Sequence, residues 1–154
     1  MDTLERAKND IRQGWETPSG AICPCCAQLV KLYQRQIYYA PAKALIELYH
    51  LNRVEPGFHH LRELNPDIGG SDFSKLKHWG LIEKEPINDD PKKRTSGMWK
   101  ITPLGELFVE DRAKVHKYAH IFNDNLEMMS GPAVGIREVL GKDFDYSELM
   151  GYLL

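Results

Sequence analysis

Three cysteines fall within four positions, Cys23, Cys25 and Cys26, and Cys23 and Cys26 form a C-x-x-C pair across Pro24. That spacing lets one turn present two thiolates to a tetrahedral zinc ion. A pair is half a site. Candidates for the other half are His116 and His120, which share a face in a helix or a strand, Cys25 with His59 or His60, or the same pair from a second subunit. Structural zinc is one expectation, and free thiols are the plain alternative. A redox role is disfavoured, because no βαβ context of the thioredoxin kind surrounds the motif. A second group is basic and polar. Lys92, Lys93 and Arg94 are consecutive in INDDPKKRTSG, and Ser71, Asp72, Ser74, Lys75 and His78 alternate with apolar Phe73, Leu76 and Trp79. Lysine and arginine meet phosphates, and short polar side chains reach base edges.

The elements that must position these groups follow from periodicity and punctuation. Leu4, Ala7 and Ile11 predict an N-terminal helix ending at Gly14, and the segment AQLVKLYQRQIYY suits helix or strand. Pro41 opens a helix with a broad apolar stripe, Ala42, Leu45, Ile46, Leu48, Tyr49 and Leu51. Phe58, Leu61 and Leu64 predict a second short helix, with one of His59 and His60 inward and the other solvated. A third helix, starting at Asn65 or more favourably at Ser71, runs to Trp79 with Phe73, Leu76 and Trp79 inward, and Gly80 supplies the positive φ of its end. Leu81 and Ile82 begin a strand, a polar loop follows, and Met98 to Thr102 returns with Trp99 and Ile101 on one face. Thr102 and Pro103 open another helix with Leu104, Leu107 and Phe108 predicted buried. A hairpin is expected over KYAHIF, NDN and LEMMSG, then a helix AVGIREVL, then a helix in DYSELMGYLL capped by Asp145. Tyr33, Tyr38, Tyr39, Trp79 and Trp99 read as core or core-edge aromatics.

The 154 residues, 42% hydrophobic and 27% charged, are ordinary for a globular domain and exclude disorder throughout. No apolar run reaches the roughly 20 residues of a membrane span. The polar start MDTLERAKNDIRQGW lacks the apolar stretch of a signal peptide, so a cytoplasmic location without membrane association is expected. The formal charge of −2 hides an uneven distribution. Lys75, Lys77, Lys84, Lys92, Lys93, Arg94 and Lys100 cluster in one stretch, while Glu106, Glu110, Asp111, Glu127, Glu138, Asp143, Asp145 and Glu148 follow it. Phosphates respond to charge within a Debye length of about 10 Å, so a local basic face matters more than the total. No glycine-rich phosphate loop, GxSxG, HExxH or framed carboxylate pair occurs, and no enzymatic activity is expected.

The order of helix end, W-G-L-I, strand, D-D-P-K-K-R, strand and I-T-P-L-G-E resembles the winged helix-turn-helix of MarR-type transcription regulators. The matching positions are Gly80, Leu81 and Ile82 at the helix exit, Asp90 and Arg94 near the wing tip, and Thr102 with Gly105 at the return. The resemblance implies an α+β fold whose winged domain covers residues 41–112. Before it lies a helix and cysteine segment over 1–40, a candidate zinc knuckle, and after it a hairpin and helices over 113–154. The long terminal dimerising helices of that family have no counterpart, so its dimer is not carried over. The whole is similar to prophage-type or mobile-element proteins with accessory ends. The implied function is binding of double-stranded DNA, sequence-specific or general, as a transcriptional regulator or phage DNA-associated factor. Ser71, Asp72, Ser74, Lys75 and His78 would then face the major groove, and Lys92, Lys93 and Arg94 the backbone. A winged protein-interaction module, binding a protein partner through its acidic C-terminal part, is the alternative.

Overall fold

The structure, a computed structural model, describes residues 3–15, 20–64, 70–86 and 97–151. It is mixed helix and sheet, of the α+β kind. The helices are α1 (Thr3–Gly14), α2 (Tyr39–Val54), α3 (Gly70–Phe73), α4 (Pro103–Val109), α5 (Ile136–Leu140) and α6 (Tyr146–Gly151), with 3-10 segments at Leu61–Glu63 and Ser74–Trp79. The strands are β1 (Ala21–Ile22), β2 (Leu29–Val30), β3 (Tyr33–Gln36), β4 (His59–His60), β5 (Ile82–Lys84), β6 (Met98–Ile101), β7 (Val115–Phe122) and β8 (Asn125–Val134). They hydrogen-bond in three groups, β1-β2, β3-β7-β8 and β4-β6-β5. Among the described residues no helix is long and apolar enough to cross a membrane.

The chain divides into two compact units, Met1–Arg35 with Tyr118–Ser130, and Gln36–Lys117 with Gly131–Leu154. In the first, α1 buries Ala7 but leaves Leu4 exposed. The Leu32 amide donates to the Trp15 carbonyl at 2.9 Å, and the Trp15 and Phe122 rings lie 5.3 Å apart. The segment left ambiguous between helix and strand resolves into β2 and β3. The hairpin between β7 and β8 turns on Asn123 and Asp124, with φ of 49° and 61°. Both residues tolerate the left-handed region that a tight two-residue turn requires, so no glycine is present.

In the second unit α2 buries Ala42, Leu45, Ile46, Leu48 and Tyr49, while Leu51 is only half-buried. Pro41 is the third residue of the helix, where its missing N–H would have no intrahelical partner. The helix predicted over Phe58 to Leu64 is instead strand β4 followed by a 3-10 turn. His59 pairs with Trp99 and His60 with Met98, so pairing to β6 overrides the helical spacing of Phe58, Leu61 and Leu64. Leu64 is buried. The third helix is also different. Only α3 is α-helical, and Ser74–Trp79 winds as a 3-10 helix. The apolar residues Phe73, Leu76 and Trp79 recur every third position, which matches three residues per turn and stacks all three inward.

The 3-10 helix ends in a Schellman arrangement: Gly80, at φ 74°, donates to the Lys77 carbonyl at 3.0 Å, and the Leu81 amide donates to Leu76 at 3.3 Å. The chain then enters β5, which pairs antiparallel with β6 through Ile82↔Ile101 and Lys84↔Trp99. At the far end Thr102 caps α4, its hydroxyl accepting from the Gly105 amide at 3.0 Å and donating to the Gly80 carbonyl at 2.5 Å. The Thr102 amide donates to the Leu81 carbonyl at 3.1 Å. Helix α4 buries Gly105, Phe108 and Val109; the predicted Leu104 and Leu107 are exposed, because the inward face runs i, i+3, i+4 from Gly105 rather than from Leu104. Helix α5 starts at Ile136, later than predicted, because Ala133 and Val134 complete β8. Asp145 caps α6, accepting from the Ser147 and Glu148 amides at 3.0 and 3.3 Å.

Two predictions follow from this packing. A Cβ at Gly105 would lie 2.2 Å from the Leu81 carbonyl oxygen and 2.7 Å from Ile101 Cγ1. Backbone cannot step aside cheaply, so Gly105→Ala is expected to cost about 3 kcal/mol or more in denaturant melts. At Gly151, where nothing lies within 4 Å of an added Cβ, the same change should shift stability by less than about 1 kcal/mol. Tyr49, on α2, donates to Glu110 Oε2 at 2.7 Å. Burial, and then the Glu110 carboxylate, raise the phenol above its ordinary value. The stability this donor contributes is complete below about pH 10 and declines as pH rises through the raised value. Tyr49→Phe should flatten that alkaline decline in stability measured against pH.

Candidate nucleic-acid interface and the cysteine turn

With Phe73, Leu76 and Trp79 inward, the outer side of α3 and the following 3-10 helix presents Ser74, Lys75, Lys77 and His78, all half-buried. Two anchors hold this segment. Trp79 Nε1 donates to the His116 carbonyl at 2.7 Å, and the Phe73 ring meets Trp99 edge-on at 6.3 Å. A third anchor uses Asp72, whose Oδ2 accepts a short hydrogen bond from the Tyr38 hydroxyl just ahead of α2. Asp72, predicted to face a groove, is thus occupied in tying its helix to α2. Ser71 contributes backbone to α3, and its side chain lies outside the described residues.

Beside this segment β5 and β6 pair antiparallel as far as Lys84↔Trp99. The Glu85 amide donates to the Met98 carbonyl at 3.0 Å, the last described contact before residues 87–96. Lys92, Lys93 and Arg94, with Asp90, lie outside the described residues. Gly97, just ahead of β6, has φ 73°, and a Cβ there would meet the His60 ring at 2.8 Å. His60 itself is held by its amide, which donates to Glu63 Oε2 at 2.7 Å. On β6, Lys100 is half-buried with its ammonium 5.9 Å from the Phe58 ring. His59 is buried at 5% exposure, its Nε2 donating to the Glu55 carbonyl at 2.7 Å, with Glu63 3.4 Å from Nδ1. Its role is to close the α2-to-β4 corner.

The cysteines occupy the turn between β1 and β2. The Cys23 amide donates to the Gln28 carbonyl at 2.8 Å, and the Ala27 amide to the Cys23 carbonyl at 2.9 Å. Ala27 closes the turn at φ 62°. All three cysteines are free; Cys25 and Cys26 are exposed and Cys23 is half-buried. Backbone N–H groups of Cys26 and then Cys25 point at the Cys23 sulfur and lower its pKa from the ordinary thiol value. Of the predicted histidine partners, His120 Nε2 bonds Ser130 Oγ at 2.6 Å and His116 Nδ1 bonds the Gly131 carbonyl at 3.2 Å. Among the described residues no three or more His, Cys, Asp or Glu side chains gather to hold a metal ion.

Two aromatics expected in the core lie outside it. Tyr33 is 52% exposed, flanked by Lys31 Nζ at 5.5 Å and the Arg35 guanidinium at 5.9 Å. Tyr39 is 51% exposed and stacks on Phe144 at 5.3 Å. The alternation Lys31, Leu32, Tyr33, with Leu32 buried, was the signal that Tyr33 faces out. Comparison with protein-family models, with curated proteins and with solved structures returned no match.

The Tyr38–Asp72 bond makes its own prediction. Tyr38→Phe and Asp72→Ala should each cost about 1 to 2 kcal/mol, and the double variant little more than either single one, as read from urea melts.

Proposed function

We propose that the second unit is a winged helix-turn-helix that binds double-stranded DNA, in the manner of a transcriptional regulator or a phage-type DNA-associated factor. The strand order β4-β6-β5 carries the reading. In a winged domain the hairpin after the second helix pair returns to pair with a short strand lying just after the first helix. Here α2, β4, the 3-10 turn, α3 with its 3-10 extension, β5 and β6 follow in that order, and β6 pairs with both β4 and β5. The described helix bears Ser74, Lys75, Lys77 and His78, and Lys92, Lys93 and Arg94 fall in the sequence between β5 and β6, outside the described residues. A slim 3-10 helix of six residues, rising about 2 Å per residue, is short enough to lie within a major groove roughly 12 Å wide. On this reading Lys75 and Lys77 meet phosphates at its edges, and Ser74 and His78 reach base edges. The loop cations add contacts whose strength falls with salt. The acidic remainder of the chain keeps the net charge at −2 without cancelling a face that acts within a Debye length.

Fluorescence anisotropy with a labelled mixed-sequence duplex tests this. Dissociation constants between about 10⁻⁴ and 10⁻⁶ M at physiological salt are expected for non-specific binding. Changing Lys92, Lys93 and Arg94 together to Ala should lower the slope of log affinity against log salt by about 3. No duplex binding at low salt, or a slope unmoved by the triple change, would overturn the proposal in favour of a protein-interaction role for the same fold.

A further inference from the structure

The β1–β2 turn holds Cys23 and Cys26 at C-x-x-C spacing, and among the described residues no further ligand gathers with them. Pro24 has no N–H, so the donors that reach the Cys23 sulfur are the amides of Cys25 and Cys26. The turn is braced on both sides by the Cys23-to-Gln28 and Ala27-to-Cys23 hydrogen bonds, and by the Ala21↔Val30 and Ile22↔Leu29 pairs. Ala27 accepts a left-handed conformation that disfavours a residue with a Cβ, so the turn is held in shape rather than merely tolerated. Tetrahedral zinc asks for four donors, and the chain carries no cysteine outside this turn. Among the described residues no three or more His, Cys, Asp or Glu side chains gather to hold a metal ion, at this turn or elsewhere.

A second observation lies next to the thiols. Ile22 and Leu29 are directly paired across β1 and β2, immediately outside the turn, and are 63% and 59% exposed. Two large aliphatic side chains opposite each other on a two-residue ribbon form an apolar spot too small to bury itself. We propose that Cys23 and Cys26 of one copy and the same two residues of a second copy hold one zinc ion, making this turn a metal-bridged dimer contact. A two-fold arrangement is self-complementary, so the same turn supplies half of the ligands on each side, and Ile22 and Leu29 are brought towards their symmetry mates. Four thiols release their protons and four thiolates bind one divalent cation, leaving a local charge of −2 that the Cys25 and Cys26 amides partly offset. The inference is independent of DNA binding.

Purified full-length chain under reducing conditions, assayed for zinc and for mass by light scattering, tests it. One zinc per two chains and a dimer mass are expected, with conversion to monomer on chelation. Cys23→Ser and Cys26→Ser should each abolish both zinc retention and the dimer, and Cys25→Ser should keep both. Because a serine variant can also fail by misfolding, the unaltered chain loaded with cobalt gives a separate readout. Strong thiolate-to-cobalt charge transfer with the intense visible bands of a tetrahedral site is expected, saturating at one cobalt per two chains. One metal per monomeric chain, no retained metal, or a dimer that survives both chelation and Cys26→Ser overturns the proposal.

Discussion

The second unit is organised by the close approach of Gly105 to the Leu81 carbonyl, an approach that only a residue without a Cβ permits. Around it the Thr102 hydroxyl donates to Gly80 while accepting from Gly105, and the Thr102 amide donates to Leu81. These few bonds join the end of the 3-10 helix, the residue just before β5, the residue just after β6 and the start of α4. The groups they satisfy are ones that element ends leave without partners: the first amides of a helix and the last carbonyls of the one before. Removing any one therefore exposes a polar group at a packed junction. The placement of the 3-10 helix Ser74–Trp79 against β5 and β6 depends on this seam.

Much of this was legible in the residues. The pattern Gly-Leu-Ile followed by Ile-Thr-Pro-Leu-Gly carries its own chemistry: a left-handed helix exit, a capping threonine, a proline at a position whose N–H is not used, and a glycine for close approach. The same residues carry the resemblance to MarR-type regulators. The inward face of Phe73, Leu76 and Trp79 was equally legible, although three-residue spacing fits a 3-10 helix better than the α-helix it suggested. What could not be read was long-range. Nothing local marks His59 and His60 as a strand, because its partner, β6, lies some forty residues on in the sequence. Asp72 looked like a solvent-facing acid because its partner Tyr38 is 34 positions away. In α4 the choice of inward face was made by Gly105, where the absence of a side chain outweighed the two leucines beside it.

The two chemistries of the chain differ in how they are built. The proposed nucleic-acid face would draw on many weak, salt-sensitive contacts, aligned by the seam. The cysteine turn concentrates its chemistry in four residues, with amide dipoles doing locally what neighbouring positive charge would otherwise do. Cation–ring contacts around Tyr33 and the stack of Tyr39 on Phe144 show that exposed aromatics here are shielded by neighbours rather than buried in a core.

Under the proposal, DNA meets the 3-10 helix together with β5 and β6. An amide-resolved NMR titration of the full chain with duplex DNA tests it residue by residue. Shifts concentrated on Ser74 to Gly80 and Gly97 to Lys100, reversed by added salt and sparing the α1 and β1–β2 amides, are the predicted result. Shifts confined to the C-terminal helices or the cysteine turn, or none at saturating duplex, would contradict it.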